Sequence, residues 1–66
     1  MIKCKFTVTT SINAYSLEFT ANSLEHAAKE IEKAYNENDH ITFAGERYRI
    51  RIPKHAVLEY KVEELG

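Results

Sequence analysis

From residue 2 to residue 9 the chain alternates without an error. Ile2, Cys4, Phe6 and Val8 share one parity, and Lys3, Lys5, Thr7 and Thr9 share the other. A period of two is the side-chain period of an extended chain, so residues 2–10 read as a half-buried β-strand. Residues 14–21 repeat the pattern with Tyr15, Leu17, Phe19 and Ala21. A turn at 10-TSIN-13 pairs the two strands with Val8 opposite Tyr15, Phe6 opposite Leu17 and Cys4 opposite Phe19. A slip of one residue would invert every apolar pair, so the register is well specified. The same register sets Lys5 opposite Glu18, an opposite-charge pair that adds modestly to sheet stability. Ile12 is left at the turn tip, an odd place for it.

The period then changes. Leu24, Ala27, Ala28, Ile31, Ala34 and Tyr35 fall within one stripe at 100° per residue, which predicts an amphipathic helix. Asn22 or Ser23 can cap it, and 22-NSLE-25 has the shape of a capping box with Glu25 reaching back. The opposite face carries Glu25, Lys29, Glu32, Lys33 and Glu37, with acid-first pairs at i,i+4 such as Glu25–Lys29. The turn-forming run 36-NEND-39 predicts the end.

A second hairpin follows. With Gly45-Glu46 as a two-residue loop of type II′, Phe43 faces Tyr48 and Ile41 faces Ile50, while Thr42 faces Arg49 and His40 faces Arg51. The tail, residues 53–66, fits two patterns. As a helix it has proline at its start and glycine at its end, but Lys61 interrupts the apolar stripe. As a strand, Leu58, Tyr60 and Val62 alternate with Glu59, Lys61 and Glu63, and the strand is the better fit. Returning beside the preceding strand, it would place Ile50 opposite Leu58 and Arg49 opposite Glu59.

The elements sum to an α+β fold, a two-layer ββαββ(β) arrangement in which an antiparallel sheet carries one helix packed on one face, all in a single domain over residues 1–66. The strand order stays open, because the connection through the helix allows the second hairpin beside either strand of the first.

The stretch 46-ERYRIRIPKH-55 raises the functional question. Arg47, Arg49 and Arg51 alternate with Tyr48, Ile50 and Ile52, which places the arginines with Lys3, Lys5 and Lys61 on the open sheet face. Such a face could meet phosphate. Three observations weigh against that. The aromatics Phe6, Tyr15, Phe19, Phe43, Tyr48 and Tyr60 all fall on the core face, whereas sheet-based RNA binders stack bases on open-face aromatics. Glu18 and Glu59 are interleaved on the same face. Alternation is also what any one-sided antiparallel strand shows, and long basic side chains cover a sheet while keeping their charge wet. The acids of the helix are interspersed with Lys29 and Lys33, so they read as a solvated face rather than as a mimic of DNA.

Composition narrows the classes. A chain of 66 residues has one small core, which disulfides cannot brace because Cys4 is the sole cysteine. A lone thiol, no apolar run suited to a signal peptide and no membrane-spanning segment predict a cytoplasmic protein with no membrane association. Nine Lys+Arg against ten Asp+Glu, net −1, is not the balance of a dedicated polyanion binder. Metal is not expected, since His26, His40, His55 and Cys4 show no ligand spacing. No phosphate loop, nucleophile elbow or paired carboxylates occur, and one helix on one sheet rarely encloses a pocket of about 300 Å³. No enzyme activity, cofactor or small-molecule substrate is therefore expected.

The expectation is a small non-enzymatic binding module that contacts a protein partner through its charged open sheet face, centred on Arg47, Arg49, Arg51, Lys3 and Lys5, or through a strand edge. By analogy of size and fold, inhibitors and accessory factors of the kind mobile elements encode are its nearest functional class. The small core also leaves room for a homodimer. The alternative is a nucleic-acid-binding module using the same arginines on phosphates.

Overall fold

The computed structural model describes residues 1–66. The elements run β1 (Ile2–Thr10), β2 (Ala14–Ala21), α1 (Leu24–Glu37), β3 (His40–Ala44), β4 (Arg49–Pro53), a 3-10 turn (Lys54–Ala56) and β5 (Val57–Glu64). The α+β class holds, with five antiparallel strands and one helix against the sheet. The strands divide into two sheets, a three-stranded one in the order β2-β1-β5 and a two-stranded ribbon of β3 and β4.

The first hairpin has the register that its apolar parity dictates, from Val8↔Tyr15 through Phe6↔Leu17 to Cys4↔Phe19. The Thr10 hydroxyl holds its turn, accepting from the Ile12 and Asn13 amides and donating to the Asn13 carbonyl at 2.9 Å. That local network fixes the tip without any use of the Ile12 side chain, the residue being 84% exposed.

Ser23 caps α1 by accepting from the His26 amide at 3.1 Å. This settles the choice of cap and removes the capping box, because Glu25 then stands one position too early to reach back. Glu25 pairs instead with Lys29 at 3.3 Å. Only part of the predicted stripe is covered. Ala27 is buried and Ile31 and Tyr35 are half-buried, whereas Leu24, Ala28 and Ala34 remain exposed. At the other end, the Asn38 side-chain amide donates to the Ala34 carbonyl at 2.7 Å and satisfies one orphan acceptor.

The second hairpin turns one residue later than predicted. The Gly45 amide donates to the Tyr48 carbonyl at 3.0 Å, so Glu46 and Arg47 form the tip. Partners therefore shift by two residues, to Phe43↔Ile50 and Ile41↔Ile52. A shift of two preserves the faces, so the apolar set still points inward. A type II′ turn would need positive φ at Gly45, and the backbone there does not adopt it. Glycine serves a close approach instead, because the Tyr48 ring lies where a Cβ would stand.

The largest difference is the last strand. Residues 57–64 form the expected strand, but they pair with β1 rather than β4, with Val8↔Tyr60, Phe6↔Val62 and Lys5↔Glu63. Leu58 therefore does not face Ile50, nor Glu59 Arg49. The turn after Pro53 carries the chain between layers, and the Lys54 amide anchors the crossing on the Asp39 carbonyl at 3.0 Å. A bulge between Thr9 and Thr10 on β1 and Glu59 and Val57 on β5 drops Leu58 out of the alternation. Val57 packs on the core and Leu58 is 70% exposed.

The core lies between the sheet and a second layer made of α1 and the ribbon. At one end Phe6 and Val8 meet Phe43 and Ile52; at the other, Cys4 and Ala21 meet Ala27. The Phe6 and Phe43 rings stack with centroids 5.7 Å apart and planes 14° from parallel.

Because the ribbon is held by this packing, Phe43→Ala removes the contact that seats it. Truncation of a buried phenylalanine costs about 3–5 kcal/mol, comparable to the whole stability of a domain this size. Circular dichroism melting should find Phe43→Ala largely unfolded at room temperature. Leu58→Ser should melt within a few degrees of wild type. A near-native melt for Phe43→Ala would show that the ribbon is not part of the cooperative core.

Candidate functional site

The basic residues grouped by the sequence occupy two faces. Lys3, Lys5 and Lys61 project from the outer face of the three-stranded sheet, and Arg49 and Arg51 from the outer face of the ribbon. The inner faces of the two sheets meet at Phe6 and Phe43, so their outer faces point away from each other. Arg47 is not a strand residue; it sits at the β3–β4 tip.

The lysine face is internally neutralised. Lys5 stands between Glu18 on β2 and Glu63 on β5 in the pairing register. Lys3 Nζ lies 3.4 Å from Glu18, and Lys61 Nζ 3.9 Å from Glu63. Glu59 stands opposite Thr9 on the same face, and threonines, Ser16 and Ala14 fill the remaining positions. Three cations and three acids in a checkerboard produce little net field, and exposed pairs of this kind contribute at most about 1 kcal/mol each.

The ribbon differs. Residues 40–58 contain Arg47, Arg49, Arg51 and Lys54 against Glu46 alone, so this segment carries +3 in a chain of net −1. None of the three arginines has a carboxylate within ion-pair distance. Arg51 Nη2 lies 3.2 Å from His40 Nδ1, a nitrogen contact rather than a carboxylate one. Glu59, expected beside Arg49, is across the molecule opposite Thr9. Tyr48, expected in the core, is 57% exposed beside Arg47 and Arg49. The alternation of Tyr48 with Ile50 had implied burial, but the strand begins only at Arg49.

Lys54 is held apart from this set, its ammonium 4.7 Å above the centre of the Tyr35 ring, which in turn lies 4.7 Å from Tyr60. Two open grooves flank the helix. One, of about 320 Å³, runs between α1 and β3 and is lined by Phe6, Ile31, Ala34, Tyr35, His40 and Ile41, among others. The other, of about 330 Å³, lies between α1 and the end of β2 near Phe19 and Ala21. They arise because small residues on α1 leave space against the sheet. Their linings contain no nucleophile paired with a base.

His26, His40 and His55 stand on three different elements, and no three His, Cys, Asp or Glu side chains converge. Cys4 is fully buried between β2 and β5. No helix is long and apolar enough to cross a membrane. No protein-family model, curated protein or solved structure matches the chain.

The burial of Cys4 makes its thiol a reporter of opening rather than a nucleophile. Alkylation by iodoacetamide, followed by mass spectrometry, should be about a hundredfold slower in the native protein than in urea, given a domain stable by about 3 kcal/mol. Equal rates would place Cys4 at the surface.

Proposed function

We propose that the protein is a small non-enzymatic binding module whose β3–β4 ribbon contacts an acidic surface of a protein partner. The observation that carries this reading is the set of Arg47, Arg49 and Arg51, exposed on one ribbon with no intramolecular carboxylate partner. Arginine without a local counter-ion is suited to carboxylates, since its planar fork binds them bidentately. The partner-binding set contracts accordingly: Lys3 and Lys5, neutralised on the opposite face, drop out, and Tyr48 joins as an aromatic anchor of the kind enriched at interfaces. The excess of acids over lysines on α1 favours one-sided approach, with an acidic partner repelled from the helix. A free thiol held in the core fits a reducing, cytoplasmic setting. An inhibitor or accessory role is the functional class we favour.

A second reading is nucleic-acid binding through the same ribbon, and specific observations favour it. Tyr48 is exposed among the arginines, and Glu59 is not interleaved with them. A two-stranded ribbon also fits a DNA major groove about 12 Å wide.

Charge reversal separates either reading from an inert surface. Arg49→Glu with Arg51→Glu should abolish capture of the partner while leaving the circular dichroism spectrum unchanged; retained capture would remove the ribbon from the interface. Fluorescence anisotropy with single- and double-stranded oligonucleotides then distinguishes the two. No binding at low salt supports the protein-contact reading. Binding that weakens with salt, with a log–log slope reduced by about 3 in the triple Arg→Ala variant at 47, 49 and 51, supports phosphate contact instead.

A further inference from the structure

We infer that the chain forms a two-fold symmetric dimer in which the free edge of β2 pairs antiparallel with the β2 edge of a second copy. The inference does not depend on what the arginine ribbon binds.

The hydrogen-bonding phase of the first hairpin identifies which groups the edge presents. The Thr10 amide bonds to the Asn13 carbonyl, so the paired positions continue through Tyr15, Leu17, Phe19 and Ala21. The amides and carbonyls of Ala14, Ser16, Glu18 and Thr20 therefore point away from β1. No other strand lies beside them, and all four residues are exposed. β2 thus presents eight residues of regular ladder with one charge, no proline and no bulge. Natural sheets rarely leave such an edge unguarded.

The other edge of the same sheet is guarded. β5 carries Glu59, Lys61, Glu63 and Glu64 and has the Leu58 bulge near its start. The contrast singles out β2 as the edge built to be paired.

Self-pairing follows from the side chains. Opposite residues of an antiparallel ladder share a face, so only registers that match parity are allowed. The register with Leu17 opposite the second copy's Leu17 sets Tyr15 opposite Phe19 twice, once on each side of the dyad. It also sets Glu18 opposite Ser16, with each Glu18 keeping its own Lys3 at 3.4 Å. Aromatic pairs across a ladder are among its more stabilising contacts. One step in one direction brings Glu18 against Glu18. One step in the other leaves Phe19 opposite Asn13, beyond the strand. Leu17 itself is 39% exposed although its neighbour across the ladder, Phe6, is buried, and the second copy would cover it. With seven of 66 residues buried, the chain gains from the added core.

The product is a continuous six-stranded sheet. Its dyad runs perpendicular to the sheet, so both helices and both arginine ribbons stand on the same side of the assembly.

Sedimentation velocity on the full chain tests this directly. Wild type should sediment as a dimer of the 7.6 kDa chain. Leu17→Glu and Leu17→Lys should each sediment as folded monomers, and an equal mixture of the two should restore the dimer, because the opposite charges meet at the dyad. Wild type that stays monomeric up to its solubility limit overturns the proposal, as does a dimer that survives Leu17→Glu. Should either charged variant unfold, Leu17→Cys gives an independent reading. Non-hydrogen-bonded antiparallel positions have Cα atoms about 4.5 Å apart, within reach of a disulfide. Rapid oxidation to a covalent dimer, not matched by Ser16→Cys, supports the register; a product that stays monomeric overturns it. Loss of the dimer with partner capture intact would leave the ribbon reading standing, and the converse would leave the dimer.

Discussion

The stacked rings of Phe6 and Phe43 are the joint on which the rest of the molecule depends. Phe6 lies on the central strand, with edge-on contact to Tyr60 of β5 at 6.1 Å in addition to the stack. Phe43 also receives Tyr15 of β2 at 6.2 Å. One aromatic cluster thus ties all three strands of the sheet to the ribbon. A two-stranded ribbon in water is marginal by itself, so β3 and β4 persist only while their inner face has this cluster to lie on. The helix is the lesser partner. It buries Ala27 and half-buries Ile31 and Tyr35, and the grooves on either side of it are the space its alanines do not fill.

The parity of each segment was legible from the sequence because period and burial are locally coupled. β1 and β2 needed no information beyond their own alternation, since a two-residue tip and a unique apolar register left one solution. The same logic reached the faces of the second hairpin but not its partners. Turns at Gly45-Glu46 and at Glu46-Arg47 both keep Phe43, Ile41 and the isoleucines of β4 inward, so parity cannot choose between them. The close approach of Tyr48 to Gly45 gave no sign in the pattern. The neighbour of β5 was beyond reach for a related reason. Alternation states which side of a strand is apolar and not which strand lies beside it, and β1 and β4 offered equally good faces to Tyr60 and Val62.

That one pairing decided how the site was read. Placing β5 beside β4 put glutamate among the arginines and all cations on one face. Placing it beside β1 separates lysines from arginines by the thickness of the protein and sends Glu59 and Glu63 to balance the lysines. The charge segregation was present in the composition of residues 40–58, since +3 over a short segment of a chain of net −1 is visible without coordinates. Its meaning was not, because a net charge of a segment becomes a field only when the counter-charges of other segments are known to lie elsewhere.

The pairing of β1 with β5 also bears on how the chain reaches this state. Cys4 finds Glu64, and the Lys3 carbonyl accepts from the Leu65 amide at 2.8 Å, contacts of very large sequence separation. During synthesis the first hairpin can form early, but one side of its inner strand stays open until β5 has left the ribosome. The sheet is thus completed last, by the edge strand whose arrival makes β1 its centre. Non-local closure of this kind slows folding relative to a helical domain of equal length. It also makes the nascent chain, with β1 half-satisfied and Val8 and Phe6 uncovered, the stage most exposed to misassembly.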